Sequence, residues 1–255
     1  MKRVFSLDPA PVTGRFVILA APRTGSTFLV DWLDRQAGVK CLSEIFHPNL
    51  VFLRNYHPRQ QLLTDLNYRD QNAEKFLNDL MNELADTNSV GFKLFWNHNN
   101  YLLNALADRP DWKKVLLWRE NLLEVFVSAA LARKWFGSNE WGRVPDHLTI
   151  EVDTDSLIPF FHWMESQFLA IENVLHSCHA KYVTLEYQQL SDDARLKKVL
   201  RYLTGGPSRR ALPGVHPIHS PLEFRRGPGL NERIRNIAEV TDYLSRTRYR
   251  KWARI

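Results

Sequence analysis

Two short stretches of this chain carry residues suited to holding anions. Pro22-Arg23-Thr24-Gly25-Ser26-Thr27 lies between an apolar run, Arg15 to Ala21, and a segment, Phe28 to Leu33, that is apolar at helical spacing. That pattern predicts a buried strand, a tight loop and a helix. Backbone N–H groups at such a helix start point outward, and the dipole favours negative charge there. Arg23 adds a guanidinium with bidentate geometry, and Ser26 and Thr27 add hydroxyls. Thr24, inside the loop, offers its backbone. The competing reading is a plain strand–turn–helix with Ser and Thr as caps. The second stretch is the apolar run Lys114 to Trp118, which delivers Arg119 at its end, followed by Ser128 about two turns past Asn121. Ligands of open α/β sheets bind outside the carboxyl ends of the strands. An arginine and a serine hydroxyl there suit a phosphate. Two separated anion sites suit a nucleotide with phosphates at both ends of its ribose.

The first loop is not a Walker A loop. That pattern needs Gly where Ala20 stands and Lys where Ser26 stands. A dinucleotide fingerprint is excluded too, because the loop holds one glycine.

The elements that must position these residues follow from periodicity. Val90 to Trp96 is a second apolar run, Lys114 to Trp118 a third strand and Tyr182 to Leu185 a fourth. Val39 to Leu42 is a short extended stretch. Helices are predicted over Gln71 to Asp86, Asn99 to Ala107, Asn121 to Trp135, Asp155 to Ser177 and Asp192 to Leu203. Asn121 is a candidate N-cap, with Glu124 three residues later. Alternation of strand and helix predicts an α/β fold. The expected form is a P-loop-like parallel sheet flanked by helices, three-layer α/β/α. The whole of 1–255 is expected to form a single domain. The irregular segments 136–154 and 209–231 are read as lid or substrate loops, or as plain surface.

Composition narrows the partners. The net charge is +6 at pH 7, with 44% hydrophobic and 24% charged residues. Such a chain has enough apolar residues for a sizeable core. The positive balance calls for an anionic partner. No long Lys/Arg block or zinc-finger spacing favours nucleic acid, and none is expected. Two cysteines, Cys41 and Cys178, exclude a disulfide framework and a four-Cys zinc site, and read as buried thiols in a reducing compartment. No metal is expected. The start lacks the apolar core of a signal peptide and no run is long enough to span a bilayer, so a cytoplasmic location without a transmembrane segment is expected.

The motif Pro22 to Leu29 resembles the 5′-phosphosulfate loop of PAPS-dependent sulfotransferases, in the bacterial form with Arg in place of Lys. Arg119-Glu120-Asn121-Leu122-Leu123-Glu124-Val125-Phe126-Val127-Ser128 is similar to that family's 3′-phosphate motif. Val183 to Leu190 resembles its next strand and Y-x-x-L element. Leu230 to Asn236 resembles the C-terminal segment of the bacterial carbohydrate branch, the Nod-factor and trehalose sulfotransferases. The likeness covers roughly residues 15–40, 90–130 and 180–240.

The resemblance implies a donor, PAPS, a product, PAP, and a hydroxyl-bearing acceptor such as a carbohydrate, glycolipid or small alcohol. Arg23, Gly25, Ser26 and Thr27 then bind the 5′-phosphate, and Arg119 and Ser128 the 3′-phosphate. Glu44, in Ser43-Glu44-Ile45-Phe46-His47-Pro48, matches a carboxylate of the carbohydrate branch and is the candidate base; a surface or capping carboxylate is the other reading. His47 is a neighbour that could replace it. Lys93, in Gly91-Phe92-Lys93-Leu94-Phe95-Trp96-Asn97-His98, resembles the family lysine near the transferred group, or faces the helix layer. His98 lies further along than the family's histidine and ranks below Glu44. Arg225 and Arg226 resemble a loop that closes over the 3′-phosphate, or form a surface pair. Tyr187 sits by the adenine or is a buried tyrosine. Trp96, Trp135 and Trp141 fall near the expected acceptor side, or pack in the core. Two further readings stay open: a P-loop kinase-like phosphotransferase, and a non-catalytic nucleotide- or polyanion-binding protein.

Overall fold

The structure is a computed structural model that describes residues 14–137, 144–205 and 227–253. Trp141, Arg225 and Arg226 lie outside the described residues, as does most of 209–231.

Five parallel strands form one sheet: β1 (Gly14–Ala20), β2 (Val39–Cys41), β3 (Ser89–Phe95), β4 (Trp112–Trp118) and β5 (Tyr182–Glu186), in the order β2-β3-β1-β4-β5. The α/β class and the parallel, helix-flanked sheet are as expected. The extended stretch at Val39 is a fifth strand; at three residues it is too short to show a pattern. Every residue of β3 is buried, and β1 is nearly so. Continuous apolar runs of this kind mark strands covered on both faces. Gly91 is required inside β3, because a Cβ there would meet the Phe16 ring of β1 at 2.2 Å.

The helices are α1 (Ser26–Asp34), α2 (Leu66–Gln71), α3 (Ala73–Glu83), α4 (Asn100–Ala107), α5 (Leu122–Phe136), α6 (Leu157–Ser177), α7 (Asp193–Thr204), α8 (Leu230–Arg233) and α9 (Ile237–Ser245). The helix read from Gln71 is in fact two, α2 and α3, with Asn72 at the break and the Asp65 carboxylate capping α2. Asn121 caps α5 through its side chain, accepting from the Glu124 N–H at 3.2 Å. Cys41 is buried, and burial raises its thiol pKa well above the usual range; Cys178 is only half-buried, against expectation.

The chain divides into two compact units. One, up to Trp118 and again from Ala170 to Leu222, holds the sheet. The other comprises Arg119–Leu169 and Glu223–Ile255. Its core includes Phe161, Tyr249 and Trp252, with ring centroids 4.9–5.0 Å apart. A parallel bridge joins Ile150 to Ile234. Arg233 reaches the Pro145 and Leu148 carbonyls, and Asn236 clasps both polar groups of Val152. Among the described residues no helix is long and apolar enough to cross a membrane.

Candidate active site

In the sheet unit, Ala20 of β1 stands level with Phe95 of β3 and Leu117 of β4, so the loops after all three strands leave from one edge. The chain leaves β1 for β2 on one side while β4 lies on the other, which is where open α/β sheets hold ligands. The 22–27 loop emerges here. Two of its residues take left-handed backbone: Arg23 at φ 65° and Gly25 at φ 85°. Gly25 tolerates this, and it is doubly required. A Cβ would meet Leu190 Cδ1 at 2.5 Å and the Tyr187 ring at 2.8 Å. Arg23 has no such freedom. A non-glycine residue held there carries strain of roughly 1 kcal/mol or more, a kind that concentrates at functional sites.

Gly25 is also the N-cap of α1, a residue with no side chain of its own to cap the helix. The first turn of α1 contains no acidic residue either. Ser26 and Thr27 are the first helical residues rather than the N-cap, and the buried Thr24 hydroxyl donates to the Ala21 carbonyl at 2.7 Å. The donor set of a helix start, an arginine and two hydroxyls suits a phosphate group.

Beside this loop lies a buried ionic cluster. Lys93 Nζ is 2.8 Å from Glu44 Oε1, with the two side chains only 1% and 5% exposed. The same ammonium donates to Thr27 Oγ1 at 3.5 Å, so Lys93 joins the helix start to the carboxylate. The Lys93 pKa is lowered to about 8 on balance: burial pushes it down, Glu44 pulls it up, and the Arg54 charge pushes it down. His98 Nε2 stands 3.6 Å from Glu44 Oε2, beyond hydrogen-bond reach. Burial, then the neighbouring His47, Lys93 and Arg69, lower the His98 pKa to about 3. His98 is therefore neutral at pH 7, and its contact with Glu44 is not an ion pair. Its Nδ1 is buried without a partner.

Chain geometry explains why these groups meet. Glu44 lies just past β2, the edge neighbour of β3, where Leu42 N–H bonds the Gly91 carbonyl and Lys93 N–H bonds the Ser43 carbonyl. The structure thus brings together Thr27, Glu44, Lys93 and His98, and the Tyr187 ring reaches Gly25 rather than standing apart. Lys93 faces this cluster, between Glu44 and Thr27 of α1. Two further groups escaped the sequence reading. Arg54, with left-handed backbone, pairs with Asp31 of α1. Arg69, 2% exposed, binds the chain just after Glu44. Neither lies in a motif or on a periodic face, so the sequence held no signal for them.

The other unit carries Arg119 and Ser128. Arg119 closes on Glu124 at 2.5 Å through Nη2 and 3.1 Å through Nε. Ser128 stands one helical turn past Glu124, on the same face of α5. Trp135 is exposed and Trp96 half-buried, so neither is a fully packed core residue.

No family model and no curated protein matches the chain. Among solved structures it is similar to a sulfotransferase from Alicyclobacillus acidocaldarius. The two share 14% identity over 91% of this chain and 92% of that one, with a TM-score of 0.45. Among the described residues no cluster of His, Cys, Asp and Glu could hold a metal.

Proposed function

We propose that this chain is a PAPS-dependent sulfotransferase acting on a hydroxyl of a carbohydrate, glycolipid or small alcohol. The observation that carries the reading is Lys93: a buried ammonium that touches both the helix start of the anion loop and a buried carboxylate. An anion site alone binds. An anion site with a carboxylate held beside it can also take a proton from an incoming hydroxyl.

PAPS supplies an activated sulfuryl group and, in PAP, a leaving group. Arg23 and the N–H groups of the α1 start receive the 5′-phosphate and balance the charge that grows on it. Ser26 and Thr27 donate to the same group. The acceptor oxygen bonds to sulfur as the sulfur–oxygen bond to the phosphate breaks. PAP keeps that electron pair, and the acceptor proton passes to Glu44. Lys93 holds Glu44 at the loop and offers positive charge to the sulfuryl oxygens. His98, neutral and adjacent, is the reserve proton acceptor. Catalysis is then mainly positional and electrostatic, as in phosphoryl transfer. Arg119 and Ser128 are assigned the 3′-phosphate on motif resemblance, as are Arg225 and Arg226. Tyr187 is assigned a place beside the nucleotide.

Calorimetric titration with PAP, ATP plus Mg²⁺ and a heparin-like polyanion tests this reading against the kinase-like and polyanion-binding ones. PAP is expected to bind best, and Arg119→Ala to abolish that binding. Absence of PAP binding at millimolar ligand would sink the proposal.

A further inference from the structure

The segment that follows Glu44 has no regular structure, yet the carboxylate it carries is held at 2.8 Å from Lys93. A side chain from α2 binds the backbone of this segment. Arg69 Nη1 donates to three backbone carbonyls: His47 at 2.7 Å, Leu50 at 2.9 Å and Ile45 at 3.1 Å. Its Nε donates to Asp70 Oδ1 at 2.7 Å. The guanidinium carbon also sits 5.9 Å from the Phe46 ring centroid. The turn closes on itself as well, with the Glu44 carbonyl accepting from His47 N–H at 3.0 Å and Phe52 N–H at 3.3 Å.

The geometry points to Arg69 as a positioning residue for Glu44: it locks the Ile45–Leu50 turn and thereby fixes the carboxylate against Lys93. This rests on the proposed role of Glu44 as the acceptor base. A buried cation is costly unless it is fully hydrogen-bonded. Here its three Nη1 hydrogen bonds go to one short loop and its Nε bond to Asp70 of the same helix, an arrangement that suits a base needing to keep its place. A neutral side chain at 69 removes a donor from the Ile45 and Leu50 carbonyls, leaves the His47 carbonyl only the Leu50 N–H at 3.3 Å, and frees the turn. A lysine has enough N–H groups for the carbonyls, though not the planar reach to Asp70 as well.

The test compares wild type with Arg69→Met and Arg69→Lys. Three quantities are read: exchange of the His47 and Phe52 amides, the ¹³C resonance of the Glu44 carboxyl assigned with Glu44→Gln, and PAP affinity by calorimetry. In Arg69→Met both amides are expected to exchange about tenfold faster or more, as for loss of a charged hydrogen-bond donor. The Glu44 resonance is expected to move while amides within β3 do not. Arg69→Lys is expected to recover part of both changes. PAP affinity is expected to stay within about twofold, since Arg69 is not a donor-site residue. A lower melting temperature with unchanged Glu44 resonance and unchanged loop exchange would show a merely structural arginine and overturn the inference. Should Arg69→Met not fold, Arg69→Lys decides, and wild-type-like loop exchange there overturns it equally. If wild type binds no PAP, the sulfotransferase reading fails, while the carboxyl and exchange data still judge the role of Arg69.

Discussion

Lys93–Glu44 and Arg119–Glu124 are both cation–carboxylate pairs, the first between β3 and the chain past β2 and the second between the end of β4 and α5, yet they live in different solvents. In the first pair the side chains are 1% and 5% exposed; in the second, 11% and 30%. A dry pair interacts strongly and is costly to break, because either partner left alone is a buried charge. A partly wet pair is weak and exchangeable, because water or another anion can replace either member. The contrast fits the two tasks proposed for these pairs. A base must stay in place through the reaction. An arginine that receives a phosphate must let go of its resting partner.

The largest expected effect follows from this difference. Lys93→Met should cost about 3–5 kcal/mol of folding stability, the usual loss when half of a buried pair is removed. Arg119→Met should cost less, because its partner Glu124 is 30% exposed and stays in contact with water when left alone. Urea denaturation of the two variants measures both. Equal losses would erase the distinction between the sites.

The next effect is on turnover and binding. Glu44→Gln should preserve PAP affinity and lower sulfate transfer by roughly 10²–10⁴-fold, as for loss of a general base. The assay is transfer of labelled sulfate from PAPS onto a panel of glycans. Turnover near wild type would move the base to His98 or His47. Glu124→Gln should act in the opposite sense. It removes the carboxylate that occupies Arg119, so PAP should bind up to about fivefold more tightly, the worth of a solvated pair. Weaker PAP binding in Glu124→Gln would mean that Glu124 orients Arg119 for the phosphate instead of competing with it.

How far the sequence foretold these two regions differs as well. Its strand–loop–helix unit around Gly25 was legible because a continuous apolar run, a glycine and a helical spacing are local signals. Asn121 and Glu124 announced the start of α5 in the same local way. Glu44 and Lys93 were legible one by one, through the motifs they resemble. Their pairing was not, since it depends on β2 lying beside β3, and β2 is a three-residue strand with no periodicity of its own. Arg69 and Arg54 were not legible at all. Each is defined by what it touches across the fold, and an arginine in sequence looks the same whether it is solvated or buried. Tyr187 stood between: its motif was visible, but its contact with Gly25 comes only from the turn after β5 folding onto the loop after β1.

The last effect probes the dry site from its acid side. His98 is held neutral by burial and by His47, Lys93 and Arg69, with its pKa lowered to about 3 against 6.5 in a free side chain. Between those values the unfolded chain binds a proton that the folded protein does not. Stability from this group is therefore complete above about pH 6.5 and is lost as pH falls toward 3, by at most about 1.4 kcal/mol per pH unit. Other carboxylates titrate in the same window, so the informative quantity is a difference. Wild type minus His98→Gln, followed by urea denaturation across that range, should fall steadily as pH drops. A difference that stays flat would mean that His98 accepts a proton in the folded state, with the 3.6 Å gap to Glu44 Oε2 closing into an ion pair. The cluster would then be wetter than its burial implies, and His98 rather than Glu44 would be the group best placed to carry a proton away.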